Sequence, residues 1–112
     1  MLTIGKTTIQ VVRGSVIDQD VDAIVNAANT MMRGGGGIDG AIHRAAGSGL
    51  LEELRRAARQ GSATGEAIVT GGHDLKQKHI IHVAGPIYRN YSPEEAAHLL
   101  AECYSNALEA AE

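Results

Sequence analysis

Asn26, Asn29 and Asp39 lie on either side of four consecutive glycines, Gly34 to Gly37. An asparagine amide both donates and accepts, and a carboxylate can orient a water or take its proton. Four glycines bury nothing and lose more conformational freedom on folding than any other residue, so they need a reason. Close approach of the backbone to a ligand supplies one, with the amides of Gly34, Gly35, Gly36, Gly37 and Ile38 offered to an anion at a helix N-terminus. Each residue also has a plainer explanation. Asp39 alone would be a helix-start carboxylate, stabilising by roughly 0.3–1 kcal/mol through the helix dipole. Asn29 alone would be a turn residue bonding its own backbone. The carboxylate beside the glycine run, and the amide pair just after a strand, together favour a ligand site.

Those residues need a strand and a helix to hold them. Ala23-Ile24-Val25 is a short apolar run with the pattern of a strand covered on both faces, and Asn26 and Asn29 follow where it ends. Ile38, Ala41, Ile42 and Ala45 recur as one face of a helix from about Asp39 to Ala46, with Asp39 away from that face. Upstream, Leu2 to Ile4 and Thr7 to Val12 flank Gly5-Lys6 as a hairpin or one interrupted strand. Arg13-Gly14-Ser15-Val16 then leads into a short turn or helix ending near Asp20. Beyond the break at Gly47-Ser48-Gly49, the residues Leu50, Leu51, Leu54, Ala57 and Ala58 mark a second helix. Glu52 and Arg56 are spaced there as a supporting pair, and Gly61 is the stop. Ala67 to Thr70 and His79 to Ala84 read as strands. The last helix carries the clearest punctuation: Ser92 as N-cap, Pro93 in the first position, Glu95 completing a capping box. Its apolar stripe is Leu100, Cys103, Tyr104, Ala107, Leu108 and Ala111. Strands alternating with helices predict an α/β layered fold with a mixed or parallel sheet, one domain over residues 1–112.

Composition narrows the classes. With 112 residues, 44% hydrophobic and 21% charged, the chain has the make-up of an ordinary globular domain. Its formal charge of −3 argues against a general nucleic-acid or membrane-surface binder. No 18-residue apolar run and no signal-peptide pattern occur, and Cys103 is the single cysteine, so a reducing cytoplasm is the expected location. Cys103 reads as a small core residue and not a nucleophile. His73, His79, His82 and His98 have no metal-ligand spacing, and no metal or cofactor is expected. His43, four residues after Asp39, reads as a helix-surface or supporting group before a catalytic base.

The run NAANTMMRGGGGIDGAIHRAAG, extended by Thr64-Gly65-Glu66-Ala67 and by Ile80 to Tyr88, resembles the signature of macrodomains. It is closest to the MacroD-type branch, which hydrolyses ADP-ribosyl esters. The resemblance implies a three-layer α/β/α fold. It also implies that the chain stops before the family's last two strands and closing helix, one of whose loops supplies half of the diphosphate clamp. It implies ADP-ribose or O-acetyl-ADP-ribose as ligand, with ADP-ribosylated proteins as further substrates. Asn29 would fix the distal ribose and Asp39 would orient or activate water. Asn26 and Gly34 to Ile38 would line the site. Ser15 and Val16 stand where the family has Asp-Ile. Ser15 replaces a carboxylate that accepts from the adenine amino group, a change worth about 1 kcal/mol. The alternatives are a module that binds without turnover and a self-associating fragment. Because the missing strands lie centrally in the family sheet, the first strand would be separated from Asp22–Asn26 by a two-strand gap. That gap is expected to close by pairing with another copy or a complementing chain, or by movement of the first strand.

Overall fold

The computed structural model describes all residues from Met1 to Glu112. Its central element is β5 (His79–Ala84), in which every residue from Ile80 to Ala84 is buried. β3 (Ala23–Ala28) runs parallel to it, with Ala23 opposite His79 and Ala28 opposite Ala84. β4 (Ala67–Gly71) runs antiparallel on the other side, with Ala67 opposite Val83. The result is a mixed sheet in the order β3-β5-β4. Side chains alternate across it. Ile24, Ile80 and Ala84 face the helices α1 (Gly37–Ala46) and α2 (Ser48–Ala57), and join Met32, Ile42, Leu50 and Leu54 in the larger core. Ile81 and Val83 face α3 (Pro93–Ala111), packing on Cys103 and Ala107. Helices on both faces of a mixed sheet make the three-layer α/β arrangement expected from the sequence. Burying Leu50 and Leu54 completely contributes about 1.5–3 kcal/mol each.

The hairpin forms separately. β1 (Leu2–Ile4) pairs only with β2 (Thr7–Ile9), so the strand pattern that continued to Val12 stops at Ile9. Gly5, at φ +60, opens the two-residue turn, where a right-twisted ribbon calls for a positive φ. Downstream, the short 3₁₀ turn Val16–Asp18 is tied to the sheet's base. Gln77, fully buried, donates through Nε2 to the carbonyls of Ile17 and Gln19 at 3.0 and 2.6 Å, and Lys76 Nζ donates to Asp18 O at 2.6 Å.

Four sequence expectations change in three dimensions. β3 is covered on one face only: Ile24 and Asn26 are buried, while Val25 is 49% exposed, because β3 lies at the sheet edge where α3 does not reach. The inward face of α1 is Asp39, Ile42 and Ala46, not the stripe through Ile38 and Ala45. Asp39 can turn inward because a buried amide receives it, whereas an unpaired buried carboxylate would be expelled. On α2, Leu50, Leu54 and Ala58 are buried but Ala57 is exposed, and Glu52 forms no ion pair with Arg56; such exposed pairs are worth little. Along α3, Cys103 and Ala107 are buried, while Leu100, Tyr104 and Leu108 remain 49–69% exposed beside the open β3 edge. The capping box of α3 forms as read, with Ser92 Oγ accepting from Glu95 N and Glu95 Oε1 accepting from Ser92 N, both at 3.1 Å.

Candidate functional site

The carboxyl end of β3 delivers Asn29 and the start of α1 delivers Asp39, with the glycine loop between them. Asn29 Oδ1 accepts from the amides of Met31 and Met32, both at 3.1 Å, and Nδ2 donates to Gly34 O at 3.1 Å. Asn29 is therefore first a turn residue, as its type alone suggested, and retains one amide hydrogen for anything else. Met32 sits in the left-handed region at φ +56 and is buried, fixing the chain's turn into the loop. Arg33 clamps it from outside. Its guanidinium donates to the carbonyls of Met31, Met32 and Leu54 at 3.1–3.3 Å and to Arg59 O at 3.1 Å, joining the loop to the end of α2.

Asp39 is nearly buried at 5% exposure. Its Oδ1 accepts from Asn26 Nδ2 at 2.7 Å, and His43 Nε2 stands 3.4 Å from the same oxygen. Its Oδ2 points at the loop: a Cβ on Gly35 would lie 3.3 Å from Oδ2 and 3.3 Å from Asn29 Nδ2. The two sequence-predicted groups thus converge on the bare backbone of Gly35. None of the amides from Gly34 to Asp39 donates to a protein acceptor, and the N-cap Gly36 offers no side chain to satisfy them. The start of α1 is an open set of donors backed by the positive end of a helix dipole.

Asn26, expected to line the ligand site, has its side chain turned into the core behind Asp39. It is fully buried, and Nδ2 donates to both Asp39 and His82 Nδ1, the latter at 3.1 Å. His82 Nε2 in turn lies 2.9 Å from Thr70 Oγ1, which donates to Gly71 O at 3.1 Å. Burial, and then the neighbouring His43, lower the His82 pKa to about 4, so the ring is neutral. Asn26 Oδ1 and His43 Nε2 are the buried atoms here without a hydrogen-bond partner. His43 is not a surface group; its ring passes under the loop, 3.6 Å from where a Gly34 Cβ would be. Ser15 is exposed and its side chain bonds nothing, while Val16 packs against the main core, so neither is joined to the Asn29–Asp39 cluster. Arg33, Thr70 and His82 were not singled out for roles. Only Thr70 and His82 carried a signal, as polar residues within apolar strand runs.

Two depressions flank this cluster. A cleft of about 310 Å³ at the carboxyl ends of β3 and β5 is lined by Asn29, Thr64, Ile87, Asn90 and Tyr91. A larger groove of about 540 Å³ runs between β3 and α3 past Val25, Ile38, Leu100, Tyr104 and Leu108. The larger one is almost wholly apolar; of the polar residues described above only Asn26 borders it, and Asn29 and Asp39 do not.

The layered α/β fold places a glycine-rich loop with unpartnered amides at the carboxyl end of a sheet strand, an arrangement suited to an anionic ligand. The Macro domain family model matches residues 25–112, and the chain belongs to that family. It is 46% identical over 109 residues to the Macro domain-containing protein TTE0995 of Caldanaerobacter subterraneus, covering 96% of this chain and 62% of that protein. It is 47% identical over 96 residues to the ADP-ribose glycohydrolase MACROD2 of Xenopus laevis, covering 86% of this chain and 22% of that one. A variant of the Oceanobacillus iheyensis macrodomain superposes with a TM-score of 0.87 at 43% identity, over 96% of this chain and 57% of that one. The Trypanosoma brucei macrodomain in complex with ADP-ribose gives 0.75 at 44% identity, over 87% and 38%. The chain thus spans no more than about three-fifths of the length of these relatives.

Proposed function

We propose that this chain carries the ADP-ribose site of a macrodomain that hydrolyses ADP-ribosyl esters, either O-acetyl-ADP-ribose or mono-ADP-ribose on acidic side chains. The observation that carries the reading is the convergence of Asn29 Nδ2 and Asp39 Oδ2 on Gly35, beside amides that have no protein partner. The diphosphate lies against the amides of Gly34 to Ile38, where the helix dipole favours negative charge. The free amide hydrogen of Asn29 holds the distal ribose. Asp39 Oδ2 orients a water, or takes a proton from it or from a ribose hydroxyl, while Oδ1 stays fixed by Asn26. Ser15 accepts from the adenine amino group more weakly than a carboxylate would. The binding of ADP-ribose by the T. brucei macrodomain and the name of the Xenopus relative support the reading. A module that binds without turnover is the second reading, favoured by the 5% exposure of Asp39.

Asp39→Ala separates the two. In a domain extended to the length of its relatives, the substitution abolishes ester hydrolysis while ADP-ribose affinity, followed by calorimetry, falls much less. Loss of the acceptor for Asn26 also costs about 1–3 kcal/mol, so a urea melt must accompany the assay. Turnover near the wild-type rate in the variant would take Asp39 out of the chemistry. Binding without turnover in the wild type would establish the second reading.

A further inference from the structure

We propose that His82 is a positioning residue for Asp39, acting through Asn26, so that Thr70, His82 and Asn26 form a buried directional chain that aims the carboxylate at the glycine loop. The proposal rests on the hydrolytic reading of Asp39 above.

The direction of the chain follows from what each group can do. A carboxylate only accepts, so Asn26 must present its NH₂ to Asp39 Oδ1 at 2.7 Å. The same nitrogen is 3.1 Å from His82 Nδ1, which must therefore be the acceptor nitrogen. The ring proton is then on Nε2, donated to Thr70 Oγ1 at 2.9 Å, and the Thr70 hydroxyl passes its own hydrogen to Gly71 O at 3.1 Å. Every donor has one acceptor and the chain has one sense. Asn26 and His82 are both 0% exposed, so no water can substitute for a lost member.

Without the acceptor on His82, the Asn26 amide would have one hydrogen unpaired in the core and would be free to rotate. Asp39 Oδ1 would then lose its only hydrogen bond, and Oδ2 its aim at Gly35. A ring that took up a proton would break the chain at Nδ1. The charged and titratable groups acting on His82 are His43 and the acids Asp39 and Glu53; burial and His43 outweigh the two acids and keep it neutral down to about pH 4. Catalytic groups held loosely lose large factors in rate, and a misplacement near 1 Å can cost about a hundredfold.

The test uses the 112-residue chain with His82→Phe, which keeps a flat ring but no acceptor, and His82→Gln, whose carbonyl can accept from Asn26 while its amide donates to Thr70. Nitrogen-15 spectra of the wild-type ring should show the proton on Nε2 and no titration near neutral pH. In the Phe variant the Asn26 side-chain amide signals should move toward those of a free amide, and in the Gln variant they should return. Turnover of O-acetyl-ADP-ribose, measured in the domain extended to the length of its relatives, should fall at least about tenfold in the Phe variant with KM little changed, and recover in the Gln variant. A wild-type proton on Nδ1, unchanged Asn26 signals in the Phe variant, or a Gln variant no better than Phe would each overturn the proposal. If the Phe variant does not fold, the wild-type tautomer and the Gln variant still decide it. If the extended wild type shows no turnover, the hydrolytic reading fails on its own, and the Asn26 amide signals still report whether His82 holds Asn26.

Discussion

At Gly35 the backbone is not left-handed, so an alanine would cost no strain there, yet its methyl would stand 3.3 Å from both Asn29 Nδ2 and Asp39 Oδ2 and fill the space between them. Gly36 differs: at φ −95 and ψ −173 it is extended, and nothing lies within 4 Å of an added Cβ. Gly35→Ala should therefore lower ADP-ribose affinity by at least tenfold, about 1.4 kcal/mol, by blocking the two groups directly. Gly36→Val should lower it too, by crowding the open amides, while folding stability stays within about 0.5 kcal/mol. Calorimetric titration and thermal melts on the same samples check both. Unchanged affinity with a sharp fall in melting temperature for Gly36→Val would make the loop structural and not a cradle. The sequence singled out Asn29 and Asp39, which the fold brings together at Gly35, but not how the neighbouring polar groups are arranged around them. Asn26 and Asn29 look alike in the chain, and only the register of β3 sends one into the core and the other to the surface. Arg33 gave no sign at all, because the carbonyls it ties to the loop, those of Leu54 in α2 and Arg59 just beyond it, are more than 20 residues away along the chain.

Among the elements, those carrying their own punctuation were legible. α3 begins where Ser92, Pro93 and Glu95 say it must, and β5 has the bounds its apolar run marked, His79–Ala84. The faces were less legible, since a stripe of apolar residues does not say what will cover it. α1 turns Asp39 inward because Asn26 on β3 is there to receive it, a fact of the assembled sheet and invisible in the helix. β5 shows what such an arrangement demands of a central strand. His82 is neutral in the fold, with a pKa of about 4 against 6.5 when exposed. Because the folded value is the lower one, the unfolded chain alone takes up this proton between about pH 6.5 and 4. Its contribution is thus complete above pH 6.5 and is lost as pH falls toward 4, a change of up to about 3 kcal/mol. Urea midpoints measured across that window should fall for the wild type and fall less for His82→Gln. Parallel curves for the two proteins would mean that His82 is not the group that acid attacks.

Across the whole molecule, the feature that sets its behaviour is the outer edge of β3. That strand bonds to β5 alone, and the hairpin bonds only to itself, so within one chain the gap predicted from the sequence stays open and the first strand has not moved across it. Beside the bare edge lies the groove of about 540 Å³, with Leu100, Tyr104 and Leu108 turned into it from α3. The hairpin likewise leaves Leu2, Ile4 and Ile9 between 45% and 61% exposed. An isolated two-stranded ribbon is marginal in water, and an unpaired strand beside apolar surface is a template for another strand. With a typical domain stability of only ~5–15 kcal/mol, covering this surface outweighs the entropy lost on association as concentration rises. Sedimentation of the purified chain should therefore show concentration-dependent association. Val25 lies on the exposed face of that edge, so Val25→Lys should suppress association at little cost to the melting temperature of the monomer. If the further length of the relatives supplies half of the diphosphate clamp, as the family resemblance implies, ADP-ribose affinity should also lie well below that of a domain as long as those relatives. A chain that stays monomeric from micromolar to millimolar concentration, that Val25→Lys leaves unaffected, and that binds ADP-ribose at full strength would mean the β3 edge is already satisfied within the single chain.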